Sequence, residues 1–220
     1  MYALRSHSTS LSWLSQKCLV ELGALKDGTW SVRPCQRNEI RDFIEANHYS
    51  KSINGVKGDY YFLLEHDGAI VGGMIYGQLA MANTWRKYGE AEEDVLELRR
   101  LCLIDETPRN AESFFIGQTL RWLKNNTTAK TIVSYADPNY GHSGIIYQAT
   151  NFAMVGMTSG GRVIMWDGKK YHDKTIRTKY KGVIKPFAQR VKDALERGDA
   201  FYVKQEPKYI YVKQLRKVKK

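Results

Sequence analysis

The stretch from Thr131 to Phe152 constrains the fold of this chain most, because its pattern changes from strand to loop to helix within 22 residues. Thr131–Tyr135 is rich in β-branched and aromatic residues, as a buried strand is. The Asp-Pro-Asn-Tyr-Gly segment at 137–141 indicates a loop, since proline restricts the preceding residue and glycine frees the turn. Ser143 can cap a short helix over about 144–150. This order is typical of α/β proteins, in which loops after strand ends commonly bind ligands.

The rest of the chain continues this alternation of helices and strands. Asp67-Gly68 between two apolar runs predicts a tight hairpin. Two later strands, at 153–158 and 162–167, are predicted to pair as a second hairpin through Ser159-Gly160-Gly161. The remaining predicted strands cover 59–65, 69–76, 97–104, 201–203 and 209–212, and the remaining predicted helices cover 38–46, 111–124 and 187–196. Together they predict a mixed, mostly antiparallel central sheet flanked by helices.

Positive charge is concentrated in the last quarter of the chain. Residues 169–220 carry 17 Lys and Arg against 5 Asp and Glu, whereas residues 1–168 carry 17 against 18. Aromatic residues are interleaved with these cations, a pattern typical of proteins that bind polyanions. A solvated face with a basic tail is the alternative interpretation. We therefore predict an N-terminal extension over 1–30, a core over 31–168 that would carry any catalytic site, and a basic C-terminal extension over 169–220 that binds a nucleic acid, most simply DNA.

Cysteine usage and hydropathy restrict the cellular compartment. Cys18, Cys35 and Cys102 form an odd set without CxxC spacing, so a disulfide framework or a cysteine-rich zinc site is not expected. No window approaches the ~18 apolar residues of a membrane span, and the first thirty residues lack the order of a signal peptide. These features predict a reduced, cytoplasmic protein.

The order of elements resembles the GNAT acyltransferases. In that family the pyrophosphate of acyl-coenzyme A lies on the N-terminus of the helix after the central strand, where free N–H groups receive an anion. The matching strand and helix here are 97–104 and the helix from Ala111, but the glycines of the family's phosphate loop are missing. The resemblance implies an acetyl-coenzyme A or related acyl donor bound by Arg100, Leu103, Arg109, Asn110 and Ser113. For Arg100, an edge salt bridge with Glu97 is the alternative.

A narrower resemblance covers most of the chain from about Arg33 onward. Residues 98–117, 134–152 and the HYSKS segment at 48–52 resemble the Mom proteins of Mu-like phages. The resemblance implies an enzyme that acts in the host cytoplasm on double-stranded DNA. It would convert adenine, at its exocyclic amine, to a carbamoylmethyl derivative that protects phage DNA from host restriction. A conventional acetyltransferase and a non-catalytic DNA-binding protein remain alternatives, and a homodimer remains open.

Candidate catalytic residues follow from the resemblance to the GNAT family and from their place in the chain. Tyr147 matches the family tyrosine that protonates the departing thiolate, although a phenol there could simply pack on the sheet. Asp137 could act as a base or metal ligand, or form an Asx turn before Pro138. Ser113 completes the predicted centre, and Tyr49 is a further candidate catalytic residue.

His48 and Tyr49 follow the first predicted helix, on the acceptor side of the cleft in GNAT folds. With Asp137 they could bind iron, which would suit a group bonded through CH₂ because simple acyl transfer leaves an amide. The alternative is that His48 caps the helix and Tyr49 packs. The predicted DNA contacts are Arg86, Lys87, Tyr140, Lys169, Lys170, Lys174, Arg177, Lys179 and Lys181.

Overall fold

The computed structural model describes residues 28–216 of the chain. Most of the predicted N-terminal extension, and Cys18 with it, therefore lie outside the described residues. The strands are β1 (Trp30–Cys35), β2 (Tyr60–His66), β3 (Ala69–Gly77), β4 (Val95–Leu103), β5 (Thr131–Ala136), β6 (Ala153–Met157), β7 (Arg162–Trp166), β8 (Lys169–His172), β9 (Lys179–Tyr180), β10 (Val183–Ile184), β11 (Ala200–Lys204) and β12 (Tyr209–Gln214). The helices are α1 (Arg37–Asn47), α2 (Ala111–Asn126), α3 (Ile145–Ala149) and α4 (Pro186–Arg197).

The largest sheet has seven strands in the order β1-β2-β3-β4-β5-β12-β6. Pairing is antiparallel from β1 to β4 and parallel between β4 and β5. The predicted mixed, mostly antiparallel sheet flanked by helices is therefore confirmed. A separate C-terminal extension is not confirmed, because β12 is an internal strand of this sheet and its Tyr211 is buried.

The predicted hairpin of strands 153–158 and 162–167 is wrong. β6 is an edge strand of the seven-stranded sheet, whereas β7 is the central strand of a three-stranded sheet in the order β11-β7-β8. The chain between them bonds elsewhere: the Thr158 N–H donates to the Lys208 carbonyl and Gly161 accepts from the Gln205 N–H. The connection between β11 and β12 therefore supplies the hydrogen bonds that a hairpin would have formed internally.

The chain divides into two compact units. The first contains the described residues up to Ser134, Ile145–Met154 and the described residues from Tyr211 onward. The second contains Tyr135–Gly144 and Val155–Ile210. The two units differ in net charge. The second unit holds 13 Lys and Arg against 7 Asp and Glu, whereas the described part of the first holds 15 against 14.

The core of the first unit forms where helices cover the sheet. Ile40 and Ile44 of α1 are fully buried against Leu63 and Ile75. Gly73 permits this contact, because a Cβ there would lie 3.1 Å from Ile40 Cγ1. On α2, the apolar face is buried through Phe114, Phe115, Leu120 and Leu123. Two amphipathic helices thus cover apolar positions of the sheet, as the periodicity predicts.

The second unit has its own small core. Ile164 of β7 and Ala200 of β11 pack with Val191 and Ala194 of α4. Pro186 starts α4, and Gly198 ends it in the left-handed conformation at φ 83°. No helix within residues 28–216 is long and apolar enough to cross a bilayer.

Candidate active site

The two parallel strands of the first unit stop pairing halfway along β4. Residues 95–98 of β4 pair with residues 131–134 of β5, and Leu98–Ser134 is the last pair in the described chain. On its other side, β4 stays paired with β3 up to Leu103, past an irregularity between Ile75 and Tyr76. In the second half of β4, the backbone edge on the β5 side therefore has no strand partner in β5. Such an edge can hydrogen-bond an extended ligand.

Tyr147 lies at the point where this pairing ends. Its phenol hydrogen-bonds Ser134, and its ring contacts Phe152 and Tyr211 at centroid distances of 5.6 and 5.3 Å. Burial of the hydroxyl raises the pKa of Tyr147, which the Ser134 bond partly offsets, and the nearby Tyr49, Glu112 and Glu97 raise it further. The phenol therefore stays protonated at neutral pH and can donate a proton to a leaving group.

Arg100 of β4 provides a second under-satisfied group in the same unit. Its Nη1 donates to the Arg99 carbonyl at 2.7 Å, while its buried Nε has no hydrogen-bond partner in the described chain. Desolvation lowers the pKa of Arg100, whereas nearby Tyr49 favours its charged form. A buried N–H without an acceptor costs stability, so its retention indicates a ligand acceptor. The predicted alternative partner, Glu97, accepts a hydrogen bond from the Ala80 N–H.

His48 and Tyr49 follow the end of α1. His48 is buried, and its Nδ1 accepts a hydrogen bond from the Ser50 N–H at 3.0 Å. A nitrogen that accepts from an N–H carries no proton, so neutral His48 has its proton on Nε2. The His48 N–H caps α1 by donating to the Ile44 carbonyl. Tyr49 is 49% exposed and its ring lies 4.2 Å from the His48 ring, which holds a solvent-facing phenol near Arg100 and Tyr147.

The loop before α2 matches an acyl-coenzyme A site only in part. Arg109 and Asn110 are exposed, and the Asn110 side chain makes no capping bond. The Ser113 hydroxyl is used within the helix, donating to the Asn110 carbonyl at 3.3 Å. Leu103 ends β4 and is half-buried. The open strand edge suits an acyl-bearing arm, but the loop does not suit a diphosphate, since Asp105, Glu106 and Glu112 outnumber the single cation Arg109.

Asp137 belongs to the second unit, and its carboxylate is saturated with donors. It is only 7% exposed, accepts Lys208 Nζ at 2.8 Å, and accepts both the backbone N–H and the side-chain amide of Asn139. Burial opposes ionisation of this group, yet the bonds from Lys208 and Asn139 lower the pKa of Asp137 overall. This is the Asx turn that the sequence offers as the alternative, and a carboxylate so bound is a weak base.

The structure does not support the iron expectation. Within residues 28–216, no group of three or more His, Cys, Asp or Glu residues is placed to hold a metal ion. One ring nitrogen of His48, Nδ1, accepts from the Ser50 N–H, and the Asp137 carboxylate accepts from Lys208 Nζ.

The predicted DNA contacts lie on exposed surface in both units. In the first unit, Arg86 and Lys87 belong to a single 3-10 turn, and Arg86 lies over the Trp85 ring at 5.3 Å. In the second unit, Tyr140 is 45% exposed and Lys170 Nζ lies 5.0 Å from its ring centre. The remaining predicted cations are exposed as well: Lys169, Lys174, Arg177, Lys179 and Lys181.

Two residues that sequence reasoning missed define these sites. Ser134 could have been found, because it is a fully buried hydroxyl residue next to Tyr135 in a strand whose first four residues are all buried. Lys208 could not, since 71 positions separate it from Asp137 and no local pattern connects them.

The fold is that of the GNAT acyltransferases. The structure superposes with a TM-score of 0.51 on a protein assigned as a phosphinothricin N-acetyltransferase, at 12% identity, covering 86% of this chain and 100% of that one. It also superposes with a TM-score of 0.50 on the ribosomal-protein-S18-alanine N-acetyltransferase of Escherichia coli, at 8% identity, covering 87% of this chain and 97% of that one. At these identities the likeness concerns the fold alone.

The family follows from sequence comparison. The profile of the Mom protein family matches residues 29–220, so this chain belongs to that family. It is 30% identical over 146 residues to methylcarbamoylase Mom of Escherichia phage Mu. That match covers 64% of this chain and 59% of the phage Mu protein, less than two thirds of the relative's length.

Proposed function

We propose that this protein is a phage enzyme that modifies adenine in DNA at its exocyclic amine, giving the carbamoylmethyl derivative. The observation that carries the proposal is membership of the Mom family over nearly all described residues, with a phage Mu relative named as a methylcarbamoylase. Its substrate would be double-stranded DNA in the host cytoplasm, and its effect protection from host restriction.

The first unit supplies the chemistry in this proposal. The carbamoylmethyl group is bonded through CH₂, so the step would form a bond from the adenine nitrogen to that CH₂ and break the bond from the CH₂ to a leaving group of the donor. A compound related to acetyl-coenzyme A would carry this leaving group, since acetyl-coenzyme A itself would give an amide. Tyr147 protonates that leaving group, a role for which its desolvated, protonated phenol is suited. Ser134 holds the hydroxyl at the point where β4 and β5 stop pairing.

Arg100 and Tyr49 bind and orient the reacting groups. The Nε of Arg100, which has no partner in the described chain, would donate a hydrogen bond to an acceptor oxygen of a substrate. Because burial shields the guanidinium from water, its attraction to an anionic atom would be stronger than at an exposed position. Tyr49 is exposed beside it and offers a phenol at the solvent side. The open backbone edge of β4 beyond Leu98 would bind the arm of the donor that carries the reacting group.

The second unit binds the substrate in this proposal. Its net positive charge attracts the DNA backbone. Tyr140, with Lys170 over its ring, can stack on an extruded base. Asp137 holds the loop that carries Tyr140, because its carboxylate fixes Asn139 directly before that tyrosine. Asp137 is therefore a positioning residue here, and the exposed lysines contact phosphates.

The test is to express the chain in a bacterium, digest its plasmid DNA to nucleosides and measure their masses. We expect an adenine nucleoside heavier by one carbamoylmethyl group, absent when Tyr147→Phe is expressed at the same level. Unmodified adenine from abundant folded protein would contradict the proposal. Thiol release from acetyl-coenzyme A with a small amine would then favour a conventional acetyltransferase.

A further inference from the structure

A shallow pocket of about 550 Å³ lies within the second unit, and none of the predicted DNA contacts lines it. Its wall combines two cations, one carboxylate, one aromatic ring and a pair of glycines. A volume in this range accommodates a nucleotide-sized group. The lining residues are Gly160, Gly161, Arg162, Asp173, Tyr202 and Lys204.

Arg162 is held in place on two sides. Its guanidinium carbon lies 3.9 Å from the centre of the Tyr202 ring, and its Nε donates to Asp173 Oδ1 at 3.2 Å. In the described chain, its two Nη atoms have no hydrogen-bond partner. Stacking and the bond to Asp173 therefore pre-organise a fork of donors that matches a phosphate.

Lys204 lies directly opposite Arg162 in the register of β11 and β7. Side chains at such paired positions share one face of the sheet, and like charges placed there destabilise it. Lys204 makes no ion pair within residues 28–216, and Asp173 is already shared between Arg162 and Arg177. The two cations of the pocket wall, Arg162 and Lys204, therefore outnumber its one carboxylate, and a bound anion would relieve this positive excess.

The glycine pair keeps the backbone accessible at the pocket. A Cβ on Gly161 would meet no atom within 4 Å, so the space beside it is open. The Gly161 carbonyl accepts from the Gln205 N–H, which fixes this turn against the chain after β11. Glycine at such a position lets a bulky ligand approach the backbone closely.

We propose that this pocket binds a phosphodiester of the DNA backbone, through Arg162 and Lys204, and so fixes the register of DNA on the second unit. The inference rests on the proposed function and names a phosphate-binding site of that function. A free nucleotide has the same phosphate chemistry, and the test separates the two sources.

The experiment measures the affinity of the full chain for a duplex oligonucleotide by fluorescence anisotropy over a range of salt concentrations. The variant Arg162→Gln/Lys204→Gln should lower the slope of log affinity against log salt by about 0.9 for each phosphate that the protein no longer neutralises. The matched control, Lys192→Gln/Arg197→Gln, removes the same charge from exposed positions on α4 of the same unit. Circular dichroism melting of both variants checks that each is folded.

Equal slopes for the two double variants would overturn the proposal, because they would indicate a diffuse cationic surface. An ADP affinity that depends on Arg162 and Lys204, with an unchanged DNA slope, would also overturn it by assigning the pocket to a free nucleotide. Nucleoside mass spectrometry of the wild-type protein remains a separate readout. If wild type leaves adenine unmodified, the proposed function fails while the slope comparison still decides on the pocket.

Discussion

Tyr147 in the first unit and Asp137 in the second are both polar groups removed from water, but their environments differ. Desolvation and nearby acidic groups raise the pKa of the Tyr147 phenol, and its hydrogen bond with Ser134 offsets only part of this rise. The Asp137 carboxylate accepts three donors, from Lys208 and Asn139, which lower its pKa. Tyr147 can thus still donate its proton to a ligand, whereas the oxygens of Asp137 already accept hydrogen bonds from neighbouring residues.

The difference gives a physical criterion for separating chemical from structural groups. A satisfied carboxylate rigidifies a loop, because each donor it accepts restricts a backbone or side-chain torsion. A desolvated group with few partners costs stability and persists where a ligand completes its bonds. By this criterion Arg100, with its unpartnered Nε, belongs with Tyr147. Single substitutions can test the chemical groups and the structural carboxylate separately, and those with the largest expected effect come first.

Removing the Tyr147 hydroxyl should have the largest effect on activity. Loss of a general acid typically lowers a rate by about 10²–10⁴. Tyr147→Phe keeps the ring contacts with Phe152 and Tyr211 and removes only the hydroxyl. The measurement is the modified fraction of adenine in plasmid DNA at matched expression, with thermal unfolding as the check on folding.

Tyr211→Phe is the matched control for that variant. Tyr211 is buried against Tyr147, and its hydroxyl accepts a hydrogen bond from Gln148 Nε2 at 3.0 Å. It should lose about 1 kcal/mol of stability and keep most of its activity. If the two variants lost activity equally, packing of the aromatic pair would explain both results, and Tyr147 would have no acid role.

Replacing Arg100 should separate activity from stability. Arg100→Met removes a buried donor without a partner, which we expect to leave the melting temperature unchanged or to raise it, since such a donor costs about 1–3 kcal/mol. Activity should fall at least tenfold, because the variant lacks both the charge and the free N–H. Arg100→Lys keeps the charge and should retain more activity. A clear loss of stability in Arg100→Met would indicate that the arginine mainly supports the fold.

Breaking the Asp137–Lys208 pair should affect stability more than chemistry. Asp137→Asn, Lys208→Met and the double variant form a cycle whose coupling energy measures the pair. Because the Lys208 side chain is 47% exposed, solvent screens the pair, and we expect about 1–2 kcal/mol rather than the value of a fully buried pair. Urea unfolding gives the energies. A coupling energy near zero, together with abolished activity in Asp137→Asn, would indicate that Asp137 takes part in the reaction instead of holding its loop.

Local patterns in the sequence predict most elements of this fold. Every predicted strand and helix in the described residues is present, with ends shifted by at most two residues. The Asp67-Gly68 hairpin forms as expected, since a two-residue turn is decided by its own residues. The predicted pairing of β6 with β7 is wrong because β6 pairs with β12, which begins 52 residues after β6 ends, and β7 pairs with β11 as well as with β8. The residues of β11 that pair with β7 lie 34–42 positions after their partners. Non-local pairing leaves no signal in a short window.

The sites show the same limit. Tyr147 and Arg100 can be proposed from their place on elements and from family resemblance, and the structure gives both desolvated surroundings. The sequence leaves a chemical role and an Asx turn both open for Asp137, because no local pattern connects it with Lys208. Burial and saturation depend on residues distant in sequence. The sequence can therefore suggest candidate polar residues, but only the contacts in the folded structure show which of them can still bind a ligand.

The pH dependence of stability should give the smallest and most specific effect. The pKa of Asp137 is lowered by its partners in the folded protein, so the folded state favours the charged carboxylate more than the unfolded chain does. Its stabilisation is therefore complete above the unfolded value of about 4 and disappears as pH falls through the lower folded value. Urea unfolding of wild type and Asp137→Asn should show a constant difference from pH 7 to about 5 that shrinks below pH 4. A Tyr147→Phe variant should show no such change over this range, because the phenol is protonated throughout. A pH-independent difference at Asp137 would mean that shape rather than charge holds its loop, and the contrast between the two groups would then rest on Tyr147 alone.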